Sequence, residues 1–247
     1  MNSRTIRSYG KTDVGRHRRS NQDAFFADDV LGLYVVADGM GGHAAGEIAS
    51  SEAVDTIHGM VKRGIQSAGD SLNAARACRI LEGAIQGATY MLFGIAELDR
   101  DKTGMGTTFS AALIVGAELV IGQVGDSRIY RIRGDDTMQI TEDHTLIAWQ
   151  IKQGLISPEE AKTSPHRNVI TRAVGNREYV EVDTRVVGIA PGDRYLLCSD
   201  GLHGYLESEE IADIVSLGGD NAVDSFLELA LTRGGRDNIT AVLVEID

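Results

Sequence analysis

Cysteine is scarce in this chain of 247 residues. The two that occur, Cys78 and Cys198, lie far apart and in different kinds of segment. They form neither a disulfide framework nor a zinc-binding spacing, which excludes a cystine-stapled scaffold and points to a reducing cytoplasm. Both are read as small buried thiols. Long apolar runs are also missing: no stretch reaches the roughly 18 residues that a membrane span needs. The N-terminal MNSRTIRSYGK has no apolar core of a secretory signal. Positive charge is in deficit, with 24 Lys and Arg against 36 Asp and Glu and a net charge of −12. Such a surface repels nucleic acid and anionic lipid. One basic cluster, GRHRR at 15–19, is too short for a nucleic-acid arm but sufficient for a single phosphate. Only three prolines punctuate the chain, and neither a repeat nor a low-complexity linker divides it, so a single domain over 1–247 is expected. The six histidines (17, 43, 58, 144, 166 and 203) are scattered without an HxxxH pair, which argues against histidine-ligated zinc.

What is present is a change of hydrophobic period along the chain. Short alternating segments near 5–9 and 23–28 predict strands, and 33–37 a more buried one. Residues 44–63 predict a helix carrying Val54, Ile57 and Val61 on one face. In 71–98, Leu81, Ile85, Ala88, Leu92 and Ile95 form a clearer helical stripe. Then TFSAALIV (108–115), ELVIGQV (118–124) and RIYRIR (128–133) read as successive strands joined by very short turns, with Gly116-Ala117 a hairpin connection. A helical segment at 145–163 is broken at Gly154 and Pro158. Strands follow at 180–187 and 194–198, helices at 208–216 and 220–233, and a last strand at 239–246. This order is not the steady strand–helix alternation of a doubly wound fold; it predicts antiparallel sheets covered by pairs of helices.

Four carboxylates share one local setting. Asp38 follows LYVVA and precedes Gly39; Asp126 follows VIGQVG; Asp200 follows YLLCS and precedes Gly201; Asp237 stands in GGRDNIT before the last strand. For any one of them, ordinary turn formation by Asp and Gly is the first explanation. Four strand ends that gather along one edge would bring like charges together, raise their pKa values, and favour a divalent cation between them. Oxygen ligands without a Cys/His cluster select Mg²⁺ or Mn²⁺ over zinc. The glycine after such an aspartate would let its own carbonyl approach a cation. Near the N-terminus, Arg18 offers a planar donor fork suited to phosphate, and Asn21, Gln22 and Asp23 follow it directly. Alone, Arg18 would be a solvated surface charge.

Eight ordered blocks carry a resemblance: DVGRHRRSNQD (13–23), VVADGMGGHAAGE (35–47), GTT (106–108), GQVGDSRIY (122–130), DHT (143–145), RNVITRAVG (167–175), LLCSDGL (196–202) and GGRDNIT (234–240). In these the chain resembles the metal-dependent protein serine/threonine phosphatases of type 2C, the stand-alone bacterial members most of all. The resemblance implies an α+β fold: a four-layer α-β-β-α sandwich of two antiparallel sheets flanked by helix pairs. It implies a flap at about 145–171 beside the active site. Asp38 would bridge two Mn²⁺ or Mg²⁺ ions, Gly39 would give a carbonyl to one, and Asp200 and Asp237 would ligate the other. Asp23 would act through a metal-held water, Arg18 would grip the substrate phosphate, and Asp126 with Asp200 would form a third, weaker site. His43 stands where the family has a histidine proposed as general acid; a metal-bound water is the other candidate. Asn238 would orient Asp237. The implied reaction is hydrolysis of phosphoserine and phosphothreonine by a hydroxide held between the two ions, without a phosphoenzyme. Phosphorylated proteins and a cognate serine/threonine kinase are the implied partners, and a monomer is expected.

The chain departs from the family at Gln22, where glutamate is usual, and at Ser164, where many bacterial members carry histidine before proline. The first bears on metal affinity and the second on flap specificity. A cysteine-nucleophile phosphatase built on Cys198 would need a loop of backbone amides closed by arginine, which LLCSDGL lacks. A metal-dependent nuclease would need a basic groove that the net charge of −12 denies. A phosphatase-like binding module without catalysis is the alternative, disfavoured because Arg18, Asp38, Asp200 and Asp237 are all present.

Overall fold

The computed structural model describes residues 5–42, 45–166 and 168–247. In chain order its strands are β1 (Ile6–Asp13), β2 (Asp23–Asp28), β3 (Leu33–Met40), β4 (Gly106–Thr107), β5 (Phe109–Val115), β6 (Glu118–Val124), β7 (Arg128–Arg133), β8 (Asp136–Gln139), β9 (Asp183–Gly188), β10 (Arg194–Cys198) and β11 (Ile239–Ile246). Its α-helices are α1 (Ala45–Ala68), α2 (Ala74–Leu98), α3 (Leu146–Lys152), α4 (Pro158–Thr163), α5 (Asp200–His203), α6 (Ser208–Val215) and α7 (Gly219–Thr232). One sheet runs β1-β11-β10-β7-β8, the other β2-β3-β5-β6-β9 with β4 against β3, and the pairings are antiparallel.

Side-chain alternation along the strands builds the four layers. In β3, Leu33, Val35 and Ala37 join a core with α1 and α2, while Tyr34 and Val36 join a core between the sheets. In β11, Ala241 and Leu243 face α6 and α7, while Val242, Val244 and Ile246 meet the opposite sheet. Both faces of the central strands are therefore apolar, and each sheet is sandwiched between its helices and the other sheet. The α2 stripe is buried as its spacing requires, with Leu81, Ile85, Ala88 and Leu92 inaccessible to solvent.

Several expectations are adjusted. The first strand continues past Tyr9 to Asp13, paired with β11 along its whole length. The break expected at Gly154 and Pro158 is present: Gly154, with φ +68°, follows the end of the first helix, and Ser157 with Glu160 caps the second, which opens on Pro158, in a reciprocal box. Gly116 turns the β5–β6 hairpin as expected, but β6 and β7 do not pair: the turn at 125–127 passes from one sheet to the other. Among the described residues no helix is long and apolar enough to cross a membrane.

Candidate metal and phosphate site

The alternation that fills the inter-sheet core also loads one end of it with carboxylates. Asp38 continues the Tyr34–Val36 series, so it faces the other sheet. Asp23 begins β2 directly opposite Asp38 in the ladder, on the same face. From the second sheet, Ser199 Oγ and Thr240 Oγ1 donate to Asp23 Oδ2 at 2.8 and 2.6 Å. Asn21 Nδ2 donates to Thr12 Oγ1 at 2.8 Å, and Thr12 meets Thr240 at 2.7 Å, so a relay of polar groups backs that contact. Asp200 opens α5 just after β10, and Asp237 precedes β11. Asp126 sits in the turn where the chain changes sheets. Five carboxylates from both sheets thus meet at one end of the sandwich.

Burial and mutual repulsion govern their titration. Burial, then the charges of Asp200 and Asp237, lift Asp23 to about 6 even though the Thr240 and Ser199 hydroxyls favour its anion. Asp38 is raised well above the usual carboxylate range, by burial first and then by Asp23, Asp200, Asp126 and Asp237. Burial followed by Asp200 and Asp143 takes Asp126 to about 7. Asp200 is raised by burial and by Asp237, against the pull of Asp38 hydrogen bonding and Arg18. Asp23 Oδ1, Asp126 Oδ1 and Asp200 Oδ1 are buried without a hydrogen-bond donor. Orphaned carboxylate oxygens converging from three elements match the donor set that hard divalent cations take. Among the described residues no group of three or more acidic, histidine or cysteine side chains is placed to hold a metal ion as it stands. Arg18 Nη2 holds Asp237 Oδ2 at 2.6 Å.

The glycines after these aspartates have a steric explanation. A Cβ at Gly39 would lie 2.0 Å from the carbonyl oxygen of Gly46 and 2.5 Å from that of Gln22; one at Gly201 would lie 1.9 Å from the carbonyl oxygen of Asn238. Backbones cross there without room for a side chain, which is a different need from the expected approach of a carbonyl to a cation. Gly39 N–H donates to Gln22 O at 3.0 Å. Thr108 supports Asp38 from both sides, with its Oγ1 accepting the Asp38 N–H and its N–H donating to Asp38 O, each at 2.9 Å.

Gln22 is buried against the start of α1, where a Cβ at Gly46 would meet its Nε2 at 2.6 Å. Asn238 serves Asp237 through its backbone N–H, at 2.8 Å from Oδ1. Its side chain does other work: Nδ2 donates to Val14 O and Ser20 O at 2.9 and 3.0 Å, and Oδ1 accepts the Gln22 N–H at 2.8 Å. It therefore clamps the Arg18 loop to both sheets. His43, the candidate general acid, lies outside the described residues. Cys198 is buried, and its thiol is pushed up to about 12 by burial, so it is not a thiolate nucleophile.

Asp126, Asp200 and Asp237 open onto a cleft of about 640 Å³ that Ile147, Ile151 and Asn168 also line. Residues around α3 and α4 are tied down at their base, where Leu146 N–H donates to Val169 O at 2.8 Å. Sequence reasoning missed the groups that hold the Asp126 turn. Gly125, with φ +97°, presents its N–H to His144 Nδ1 at 3.1 Å. His144 Nε2 reaches Asp183 Oδ2 at 3.1 Å, so its neutral ring carries the proton on Nε2; burial lowers its pKa. His203 Nε2–H donates to Asp126 O at 2.9 Å, and burial drops its pKa to about 3. Ser199 and Thr240 were also missed; their position in the strand alternation, on the face shared with Leu197 and Val242, was the available signal.

The comparisons with known proteins point the same way as this geometry. The Protein phosphatase 2C family model matches residues 15–245. A serine/threonine phosphatase, stp, of Listeria innocua is 39% identical over 240 residues, covering 95% of this chain and 94% of its own. The serine/threonine phosphatase PstP/Ppp of Mycobacterium tuberculosis superposes with a TM-score of 0.88 at 34% identity, over 97% of this chain and 98% of that one. A structure of the PstP catalytic domain in complex with two manganese ions gives a TM-score of 0.86 at 33% identity, over 99% of both chains. With the family model spanning nearly the whole sequence, and a sandwich whose one end gathers five carboxylates beside an arginine, the chain belongs to the protein phosphatase 2C family.

Proposed function

We propose that this protein hydrolyses phosphoserine and phosphothreonine in phosphorylated proteins. One observation carries the reading: buried, donor-free oxygens of Asp23, Asp126 and Asp200 converge near Asp38 and beside the half-exposed Arg18. Asp38, Gly39, Asp200 and Asp237 would hold two Mn²⁺ or Mg²⁺ ions, with Asp23 assisting through water and Asp126 with Asp200 offering a third, weaker position. Bound there, such ions polarise the phosphoryl oxygens and acidify water at neutral pH.

The chain's own groups do the rest. Arg18 presents its guanidinium to the substrate phosphate, and its ion pair with Asp237 aims it at the carboxylates. Ser199 and Thr240 fix one oxygen of Asp23 and leave the other facing the site. Asn238 holds the Arg18 loop. Gln22, in place of a glutamate, adds no charge to the cluster. His43 or a metal-bound water would give the departing serine or threonine oxygen its proton.

In the same reading, 1–247 is one catalytic domain with a flap at about 145–171 that contributes lining residues to the cleft and includes Ser164. A cognate serine/threonine kinase, a monomeric state and a cytoplasmic location complete it, the last supported by two free cysteines. The alternative of a non-catalytic binding module is not favoured, since it leaves the raised carboxylates without a use. The test is phosphate release from a phosphothreonine peptide: activity with Mn²⁺ that chelator removes is expected, and none with either Mn²⁺ or Mg²⁺ would defeat the reading.

A further inference from the structure

The loop that carries Arg18 brings more positive charge than one phosphate uses. Arg16, His17, Arg18 and Arg19 are all exposed, in a chain of net charge −12. The loop is held firmly. Arg16 N–H donates to Gly235 O at 2.7 Å, Gly15 N–H donates to Asp13 Oδ1 at 2.7 Å, and Asn238 bridges Val14 O and Ser20 O. It interlocks with the turn before Asp237: a Cβ at Gly235 would meet Arg16 Cγ at 3.1 Å, so the Arg16 side chain runs along that turn.

Arg236 stands on the same turn. Its N–H donates to Tyr205 Oη at 3.2 Å, and the residue lines the cleft together with Asp200 and Asp237. The nearby arginines have acidic partners: Arg18 pairs with Asp237 and Arg233 with Glu210, each at 2.6 Å. Among the described residues neither Arg16 nor Arg236 has a carboxylate at ion-pair distance. The two interlocked turns therefore carry two guanidinium groups without a carboxylate partner, one two positions from Arg18 and one next in sequence to its partner Asp237.

Resting on the phosphatase reading above, we propose that Arg16 and Arg236 form a second anion subsite, which takes a second phosphorylated residue of the same substrate polypeptide. Arg16 and Arg18 are two residues apart, a span of at most roughly 7 Å. A phosphorylated side chain one or two positions away in an extended peptide covers the same range. A phosphate dianion carries more charge and more acceptor oxygens than a carboxylate to share between two guanidinium forks. The acidic remainder of the surface repels a longer polyanion such as nucleic acid. The subsite thus favours substrates phosphorylated at neighbouring positions.

The experiment compares kcat/KM, counted per phosphothreonine, for three peptides of one sequence. One carries a single phosphothreonine, one a further phosphothreonine two positions away, and one a glutamate at that second position. The wild-type protein is expected to prefer the doubly phosphorylated peptide about fivefold, through KM, as two exposed charge pairs would give. The preference should fall as ionic strength rises, and Arg16→Ala with Arg236→Ala should bring it near one. Because the readout is a ratio within one protein, any general loss of folding or turnover divides out. A ratio unchanged by both substitutions overturns the proposal, and equal preference for the glutamate peptide overturns its assignment to phosphate. Should the wild type release no phosphate from any peptide, the phosphatase reading fails separately. Calorimetric titration of the doubly phosphorylated peptide into wild type and double variant then decides the subsite: weaker binding by the variant supports it, equal binding removes it.

Discussion

Asp23 and Asp38 stand directly opposite one another across the β2–β3 ladder, with both side chains in the space between the sheets. Like charges in that relation destabilise a sheet, and here burial adds to the repulsion. Asp38→Asn is therefore expected to raise the melting temperature of the chelated protein. The same change should reduce Mn²⁺-dependent turnover by several orders of magnitude. Thermal melts in chelator, set beside phosphate-release assays, check both halves.

The carboxylate cluster also sets a pH dependence. Asp23 and Asp126 titrate near 6 and 7 in the folded protein, above their ordinary range near 3.8. Between roughly pH 4 and pH 7 the folded state therefore binds more protons than the unfolded state, and stability falls as pH rises through that window. Metal-free protein should melt at progressively lower temperature from pH 5 to pH 7.5, by a few kcal/mol in all. Divalent cations need the deprotonated oxygens, so Mn²⁺ should stabilise more strongly as pH rises, with release of protons. Melts across pH with and without Mn²⁺ test the opposed slopes; parallel slopes would contradict them.

Gly201 follows a proposed ligand but is demanded by packing. A Cβ there would lie 1.9 Å from the carbonyl oxygen of Asn238, a backbone atom that cannot move aside cheaply. Gly201→Ala is expected to destabilise by about 3 kcal/mol or more. Chemical denaturation in chelator reads this without reference to metal or activity.

Arg18 is half-exposed and paired with Asp237. Removing it takes away a charge-assisted contact to substrate and leaves the ligand set in place. Arg18→Ala should raise KM for a phosphopeptide roughly tenfold, with a smaller change in kcat, on the scale of one hydrogen bond to a charged group. An unchanged KM would remove Arg18 from the phosphate site.

Strand and helix identities were legible where side-chain period was strong. The hairpin of β5 and β6, the apolar β10 and β11, and the α2 stripe all lie close to where the sequence puts them. Edge positions were not: β8, written DTMQ, is polar and lies at a sheet edge, and the GKTD end of β1 is a strand only because β11 pairs with it. The change of sheet between β6 and β7 left no local signal, since a three-residue turn serves a hairpin equally well.

By itself the sequence determined which residues could ligate and grip, because a carboxylate at the end of an apolar strand and an arginine beside NQD are local facts. Only the tertiary structure decided that Ser199 and Thr240, separated from Asp23 by 176 and 217 positions, would hold it. It also decided that Gly39 and Gly201 yield to crossing backbones, and that Asn238 clamps the Arg18 loop. These are contacts between segments that chain connectivity does not bring together, so they come into being only when the two sheets close on each other.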